Sequence, residues 1–470
     1  KDVFSMPRKS TCYIASLVIL SLSLSSCGVV VRQANQLYQQ IDAGSLLHQG
    51  RIAPLTSKEI TWAKTAWRYF INNTDNETGL VNALDRYPMA TPWTMADSLA
   101  ALLSAHQLGL IEKIEFDQRL SRLLAFMSQM DLVEGQLPNR FYQTKTGKML
   151  NQYSEVGEAG WSALEISRLL IWLKIVGEYY PEYHEYLDKV VLRWHFCQVI
   201  DDCGQLKLKT KANNQWQYES EGRLGYQQYA GFGFSLWGFN SDKALNFNPN
   251  ERIKVDNINL LYDARDPRLT HISNPILTTP YNLLGLEFAW QIFPTEAAKQ
   301  QKLFIEQAQM VYRVQEKRWQ TEKIFTAKAD YYRLTEPRSL NDSVFANGQP
   351  WNTINDKGQW YPKLAVVSTK AAFSMWVLWK TDYTQQLMKV IEALYDKDRG
   401  WYEGRYEASG AYERQMTSYT NAMVLESLLY KAKGPIYRQV NQTRHFNQRL
   451  DKIYARPQQC FPQERPVCPL

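Results

Sequence analysis

At 470 residues and 45% apolar content, the chain can bury a large core as one big domain or two smaller ones, which excludes disorder as its main state. The net charge of +7 comes from scattered Lys and Arg that form no basic stripe, so no nucleic-acid partner is expected. Trp, Tyr and Phe make up 13% of the chain, many beside Gly, Asn, Asp or Glu, as in "TPWTMAD", "GQPWNTIND" and "GWYEGRYE". Aromatic faces with polar edges suit a groove that stacks on sugar rings, although large helical proteins also place Tyr and Trp at helix ends.

Met6 opens a basic stretch, "MPRK", followed by the apolar run "YIASLVILSLSL" and then "LSSCG", a secretory signal over residues 1–27. Leu24, Ser25 and Ser26 ahead of Cys27 resemble a bacterial lipoprotein signal, with Cys27 as the lipidated residue and membrane contact made through that lipid. An uncleaved anchor is the alternative, because the run nears the lower limit of the roughly 20 apolar residues that span a bilayer. Gly28 after the cysteine favours, by that resemblance, the outer membrane facing the periplasm. Residues 28–55, polar and Gln-rich, read as a tether.

Helical patterning then dominates. Thr56 or Ser57 with Glu59 caps a helix that carries Ile60, Ala63, Trp67 and Phe70 at helical spacing. "TMADSLAALLSAHQLG" stops at Gly109, and the next helix aligns Phe116, Leu120, Leu123, Leu124 and Met127 on one face. Further segments follow: "WSALEISRLLIWLKIVGEY", the run from Pro181 to Trp194, "GYQQYAGFGFSLWG", "PYNLLGLEFAW", the long stretch to Trp319, "AVVSTKAAFSMWVLW", "DYTQQLMKVIEALY", "MTSYTNAMVLESLLYKAKG" and a weaker one near 436–453. About twelve such helices predict an all-α fold, an (α/α)6 toroid over residues 56–455, with room for short strands or hairpins lining the cleft, as in 205–220 and 250–272. An α-solenoid is the competing arrangement, but no repeat of the required period is found. The long loops 132–159, 238–279 and 318–363 are expected to carry function.

Cys197, Cys203, Cys460 and Cys468 remain after the signal, an even number that fits an oxidising compartment. The spacings "CQVIDDC" and "CFPQERPVC" suit two local disulfides, the second stapling a tail at 456–470, although four cysteines allow three pairings. Neither spacing matches a zinc pair, no helical His pair occurs and no phosphate or dinucleotide motif is present, so neither metal nor cofactor is expected.

Carboxylates and aromatics recur together in "NALDRYPMATPWTMAD", "QYSEVGEAGWSALE", "ESEGRLGYQQY", "YDARDPR", "TTPYNLLGLE" and "GWYEGRYEASG". Asp97, Glu165 and Glu287 also fit plain first-turn carboxylates, and Glu219 a solvated loop charge. With "AWRYFINNTDNETGLVNALDRYP", "LPNRFYQTKTGKM" and "GEAGWSALEISRLLIWL", these strings resemble, over residues 60–435, the bacterial envelope family of originally unknown function grouped with glucoamylase-like domains. The resemblance implies an α/α-toroid fold shared with endo-acting β-1,2-glucanases and with the glucoamylase-like domains attached to cyclic glucan synthases, and a polysaccharide substrate. Where the family pattern has acidic residues after the Trp of T-x-W and the Tyr of R-L-G-Y, this chain has Thr94 and Gln227.

Glycoside hydrolysis needs one protonated carboxyl near the leaving oxygen and one carboxylate that activates water or attacks the sugar. Glu221, between a charged loop and an apolar segment, is the expected general acid, and Glu403 the expected base, with Asp97, Glu155 and Glu158 as alternatives. An inverting pair predicts carboxyls about 6.5–9.5 Å apart. Asn139, Arg140, Arg223 and Asn421 are expected on sugar hydroxyls, and Trp93, Trp161, Tyr226, Trp351 and Trp401 as stacking faces, with Tyr281 and Glu287 also lining the substrate. The competing reading is a non-catalytic glycan-binding lipoprotein that handles exopolysaccharide; Thr94 and Gln227 favour it.

Overall fold

Thr56 begins the first helix with a reciprocal cap: its backbone N–H donates to Glu59 Oε2 at 2.7 Å, and its hydroxyl accepts from the Glu59 N–H. In this computed structural model, which describes residues 50–212, 215–270, 273–291, 298–437 and 459–466, thirteen α-helices are found among the described residues. In chain order they are α1 (Ser57–Asn73), α2 (Pro92–Gln107), α3 (Lys113–Gln129), α4 (Ala163–Tyr179), α5 (His184–Val191), α6 (Tyr226–Ser235) and α7 (Asp242–Leu245). Then follow α8 (Pro267–Thr270), α9 (Thr279–Phe288), α10 (Ala298–Glu322), α11 (Thr369–Leu378), α12 (Asp382–Ile391) and α13 (Ser418–Lys433).

Six of these helices form the centre. α2 packs on α4, α4 on α6, α6 on α9, α9 on α11, α11 on α13, and α13 returns to α2. Their sequences are apolar almost all round, as buried helices must be: every residue of α9 and α11 is buried. The remaining long helices are amphipathic and cover this ring, α3 on α2, α10 on α9, α12 on α11 and α1 on α13. On α3 the predicted face of Phe116, Leu120, Leu123, Leu124 and Met127 is the buried one. Each such side chain taken fully out of water contributes about 1.5–3 kcal/mol.

The all-α expectation is corrected here. Twenty short strands build eight antiparallel sheets among the described residues, so the fold is mixed, not a purely helical toroid. Two hairpins lie where the sequence suggested them, Lys207–Ala212 with Gln215–Ser220 and Asn250–Val255 with Ile258–Asp263. The others occupy segments read as loops, including Asp330–Tyr332 with Ser339–Asp342 and Thr353–Ile354, and Val366–Ser368 with Gly404–Tyr406 and Tyr412–Glu413. Strands of two to four residues are too short to display an alternating pattern, because register there comes from the partner segment and not from local periodicity. Gly160 illustrates such pairing: at φ +98° it lies so close to the Lys209 carbonyl that a Cβ would fall 1.9 Å from the oxygen.

The local disulfide pairing is also corrected. Cys197 is bonded to Cys460 across 263 residues, which excludes both local pairings; Cys203 is disulfide-bonded too, and Cys468 lies outside the described residues. Phe196 N–H donates to the Gln459 carbonyl and Gln459 Nε2 to the Leu192 carbonyl, so the segment 459–466 lies against the chain after α5. At the other end, part of the expected tether already packs on the domain: Arg51 donates to the carbonyls of Trp376 and Thr381, and Ala53 N–H to that of Lys431. The signal, Cys27 and the weak helix near 436–453 lie outside the described residues, apart from 436–437. Among the described residues, no helix is long and apolar enough to cross a membrane.

Candidate functional site

The first turns of the central helices meet around three aromatic rings. Pro92 and Trp93 open α2 behind the N-cap Thr91, Tyr226 is the first residue of α6 after Gly225, and Tyr419 is the second residue of α13. Gly225 is required at this turn, because it adopts φ +100° and a Cβ there would meet Pro280 at 2.8 Å. The Trp93 ring lies 5.8 Å from that of Tyr226 and 5.2 Å from that of Tyr419, and the two tyrosine hydroxyls are 3.1 Å apart. Tyr226 and Thr279, at the start of α9, both donate to Asp330 Oδ1, at 2.9 and 2.7 Å. The Oδ2 atom of Asp330 takes no hydrogen bond from the described residues.

Glu165 stands in the first turn of α4, where the N-cap Ser162 hydroxyl accepts from its N–H at 3.2 Å. A helix start normally favours an ionised carboxylate. Here burial prevails: Oε2 is covered and has no hydrogen-bond partner, and the carboxyl is pushed up to about 8, with Arg140 opposing the shift and Glu221 adding to it. Tyr332 follows Asp330 by two residues in the strand Asp330–Tyr332 and is 48% exposed, and the charges of Glu165 and Arg140 lie within electrostatic reach of its phenol. Trp93, Tyr226 and Asp330 are joined by direct contacts, and Glu165, Arg140 and Asp330 lie within electrostatic reach of the half-exposed Tyr332; these six residues make up the candidate rim.

Beneath the rings lies a fully buried charge cluster. Arg168 of α4 reaches Asp97 at 3.1 Å, Glu287 at 3.0 Å and Glu426 at 2.8 Å, and its guanidinium carbon is 4.9 Å from the Trp93 ring centroid. Tyr229 and Trp172 donate to Glu287, and Ser418 to Asp97. One guanidinium does not offset three buried carboxylates. Desolvation pushes Asp97 to about 6, Glu287 to about 7 and Glu426 to about 8, each held back by Arg168. Asp97 and Glu287 thus sit in this cluster and are sealed from solvent.

The other expected site residues are distributed as follows. Glu221 accepts from Ser162 Oγ and from the N–H groups of Ala163 and Leu164, which fixes it as an acceptor on the first turn of α4. Burial raises its carboxyl, and these donors work against that shift. Glu403 is fully buried and accepts from Lys370, Thr417 and Thr420. Glu221 and Glu403 share no partner, since each is satisfied by the starts of different helices.

Asn139, Asn421 and Arg223 are buried and spend their polar atoms mainly on backbone: Asn139 on the carbonyls of Phe141 and Leu150, Asn421 on Trp401 and Thr417, and Arg223 on Gly222 and the Asn274 side chain. Trp161, Trp401 and Tyr281 are at most 1% exposed and offer no face to a ligand; Trp401 packs on Trp62 and Phe373. Trp351 lies half-buried under Arg318, whose guanidinium carbon is 4.5 Å from its ring. Glu155 and Glu158 sit in the 151–158 loop, where Asn151 donates to Glu155 and the Glu134 N–H to Glu158. Asp330, Tyr419 and Arg168 escaped sequence reasoning. Only Tyr419 had a readable sign, as an aromatic just behind the N-cap Thr417.

The model of a family described as "Protein of unknown function (DUF3131)" matches residues 61–434. The chain belongs to that family. No curated protein matches this DUF3131 chain. Among solved structures it is similar to an endo-β-1,2-glucanase from Chitinophaga pinensis bound to sophorotriose and glucose, at 13% identity and a TM-score of 0.58, covering 87% of this chain and 98% of that one. A candidate glucoamylase from Bacteroides uniformis is 11% identical with a TM-score of 0.59, covering 88% and 98%. An endo-β-1,2-glucanase mutant from Talaromyces funiculosus in complex with β-1,2-glucan is 12% identical with a TM-score of 0.50, covering 84% of each chain. At these identities the likeness establishes for the DUF3131 protein a shared fold.

Proposed function

We propose that this protein is a glycoside hydrolase that cleaves an envelope or extracellular polysaccharide, with β-glucans such as β-1,2-glucan as the first candidates. The observation that carries the reading is Glu165, whose covered Oε2 has no partner and whose carboxyl is pushed up to about 8, so that it holds its proton at neutral pH. Glu165 takes the acid role in place of Glu221, because Glu221 is committed as an acceptor. Asp330 is the second carboxylate: Tyr226 and Thr279 occupy Oδ1, and Oδ2 takes no hydrogen bond from the described residues. In the reaction, Glu165 gives its proton to the leaving glycosidic oxygen as the bond from the anomeric carbon breaks. Water attacks that carbon and passes a proton to Asp330. Trp93, Tyr226 and Tyr332 supply faces for the sugar rings. The solved glucanases of the same fold support the substrate class, and the signal ending at Cys27 supports a lipid-anchored envelope location.

A second reading is favoured by one observation. Thr94 is tied to Thr91 in a helix cap, and Gln227 to Arg265 and to the carbonyls of Lys243 and Ala244, so neither position with an acidic counterpart in the family pattern presents a carboxylate. A glycan-holding protein that keeps the aromatic rim without hydrolysis fits this. The deciding experiment incubates the protein with β-1,2-glucan and a panel of bacterial and plant polysaccharides and follows reducing ends over time. Release abolished by Glu165→Gln and by Asp330→Asn establishes the hydrolase; binding without release in all three proteins establishes the holding protein.

A further inference from the structure

Arg140 is the unusual cation of the rim. It ends the loop before the strand Phe141–Gln143, and its backbone N–H is used on the Gly160 carbonyl at 2.9 Å. Its guanidinium makes no hydrogen bond or ion pair among the described residues, although Nε is covered and the carbon lies 5.2 Å from the Phe141 ring. Arg168, Arg318, Arg333 and Arg265, by contrast, are paired with carboxylates: Arg168 with three, Arg318 with Glu407, Arg333 with Glu413 and Arg265 with Asp263.

The two carboxyls that feel Arg140 do not compensate it. Glu221 is turned to the start of α4 and saturated there, and Glu165 is pushed up to about 8, so at neutral pH it is a donor beside a donor. A partly desolvated guanidinium with free forks, next to a protonated carboxyl, calls for a group that only accepts hydrogen bonds. A sugar hydroxyl has a proton of its own to place and supplies no charge. A carboxylate or phosphoryl oxygen meets both requirements and takes the planar fork in a bidentate way.

We propose that Arg140 is the receptor for an oxyanion carried by the glycan, so that the polysaccharide taken at this rim, a β-glucan included, bears carboxylate or phosphoryl substituents. This rests on the reading of the rim as a glycan site and adds to it the charge class of the substrate.

The test maps arginine modification by phenylglyoxal, residue by residue, in the whole protein at neutral pH. The additions are glucose, glucuronate, glucose 6-phosphate or nothing. Glucuronate or glucose 6-phosphate is expected to protect Arg140 at about tenfold lower concentration than glucose, as one charge-assisted pair provides, and the protection weakens with added salt. Arg86, whose side chain is 74% exposed, serves as the unprotected control. Which of the two anions protects better separates a carboxylate from a phosphoryl group. In parallel, the Arg140→Gln protein is expected to bind the protecting anionic sugar no better than glucose. Equal protection by glucose, no protection by either anion, or a preference that survives Arg140→Gln overturns the proposal. Hydrolysis is scored separately: reducing-end release without anion protection removes this inference alone, and protection without release removes the hydrolase alone.

Discussion

Arg168 lies 4.9 Å from the ring of Trp93 and at the same time 2.8 Å from Glu426, so the floor of the candidate site and the buried ionic centre of the helical ring are joined through one side chain. Replacing it by Met leaves Asp97, Glu287 and Glu426 buried without their cation. The expected loss is about 3–5 kcal/mol of stability, measured by urea denaturation at pH 7, and it shrinks at pH 5, where the carboxyls are neutral. An unchanged midpoint at pH 7 would show that the cluster carries no such strain.

The same cluster sets a sign for stability against pH. Asp97, Glu287 and Glu426 stand at about 6, 7 and 8 in the folded protein, against ordinary values of 3.8, 4.5 and 4.5. The folded state therefore holds protons that the unfolded chain has released. Stability is highest below the ordinary carboxyl range, as far as these groups determine it, and falls as pH rises through 8. Thermal midpoints at pH 5, 7 and 9 are expected to decrease in that order, and Glu426→Gln to flatten the upper part of the decline.

Glu165 acts as an acid only while protonated, so activity on a glucan is expected to fall as pH rises through about 8. Glu165→Gln is expected to lower kcat by about 10²–10⁴-fold and leave the thermal midpoint unchanged or slightly higher, since a buried, unpartnered carboxyl is removed. A pH–rate profile and a melting curve of the same preparation check both statements.

Trp93 and Trp401 differ in what they do. Trp401 is fully buried between Trp62, Phe373 and Tyr395, and Trp401→Ala is expected to cost about 3–5 kcal/mol. Trp93 is half-buried at the rim, and Trp93→Ala is expected to weaken glycan binding by calorimetry more than it weakens the fold. A Trp401→Ala protein of native stability would contradict its place in the core.

The Cys197–Cys460 bond closes 263 residues of chain and fastens the segment 459–466. Replacing both cysteines by Ser is expected to destabilise the protein by about 2–5 kcal/mol, read from denaturation under non-reducing conditions beside the parent protein.

The sequence made the helices legible because their signals are local. Caps such as Thr56 with Glu59, and stripes such as Phe116, Leu120 and Met127, depend on neighbours one turn away. It also singled out Trp93, Tyr226 and Arg140, each in a string rich in polar turns, and these belong to the rim proposed as the site. It left open which carboxylate faces solvent. Glu221 looked like the acid because an apolar segment follows it, yet the donors that satisfy it belong to a helix start some 58 residues earlier in the chain.

What the sequence determined by itself is therefore the export signal as an expectation, the helical scaffold and the aromatic, carboxylate-rich character of the loops. Tertiary structure decided the rest. It paired short strands whose register no local pattern encodes, joined Cys197 to Cys460, buried Glu403 and Trp401, and left Glu165 with a covered oxygen that no donor meets. The physical reason is that a carboxyl's protonation and a ring's availability depend on which distant segments exclude water from it, and those segments meet only when the ring of helices closes.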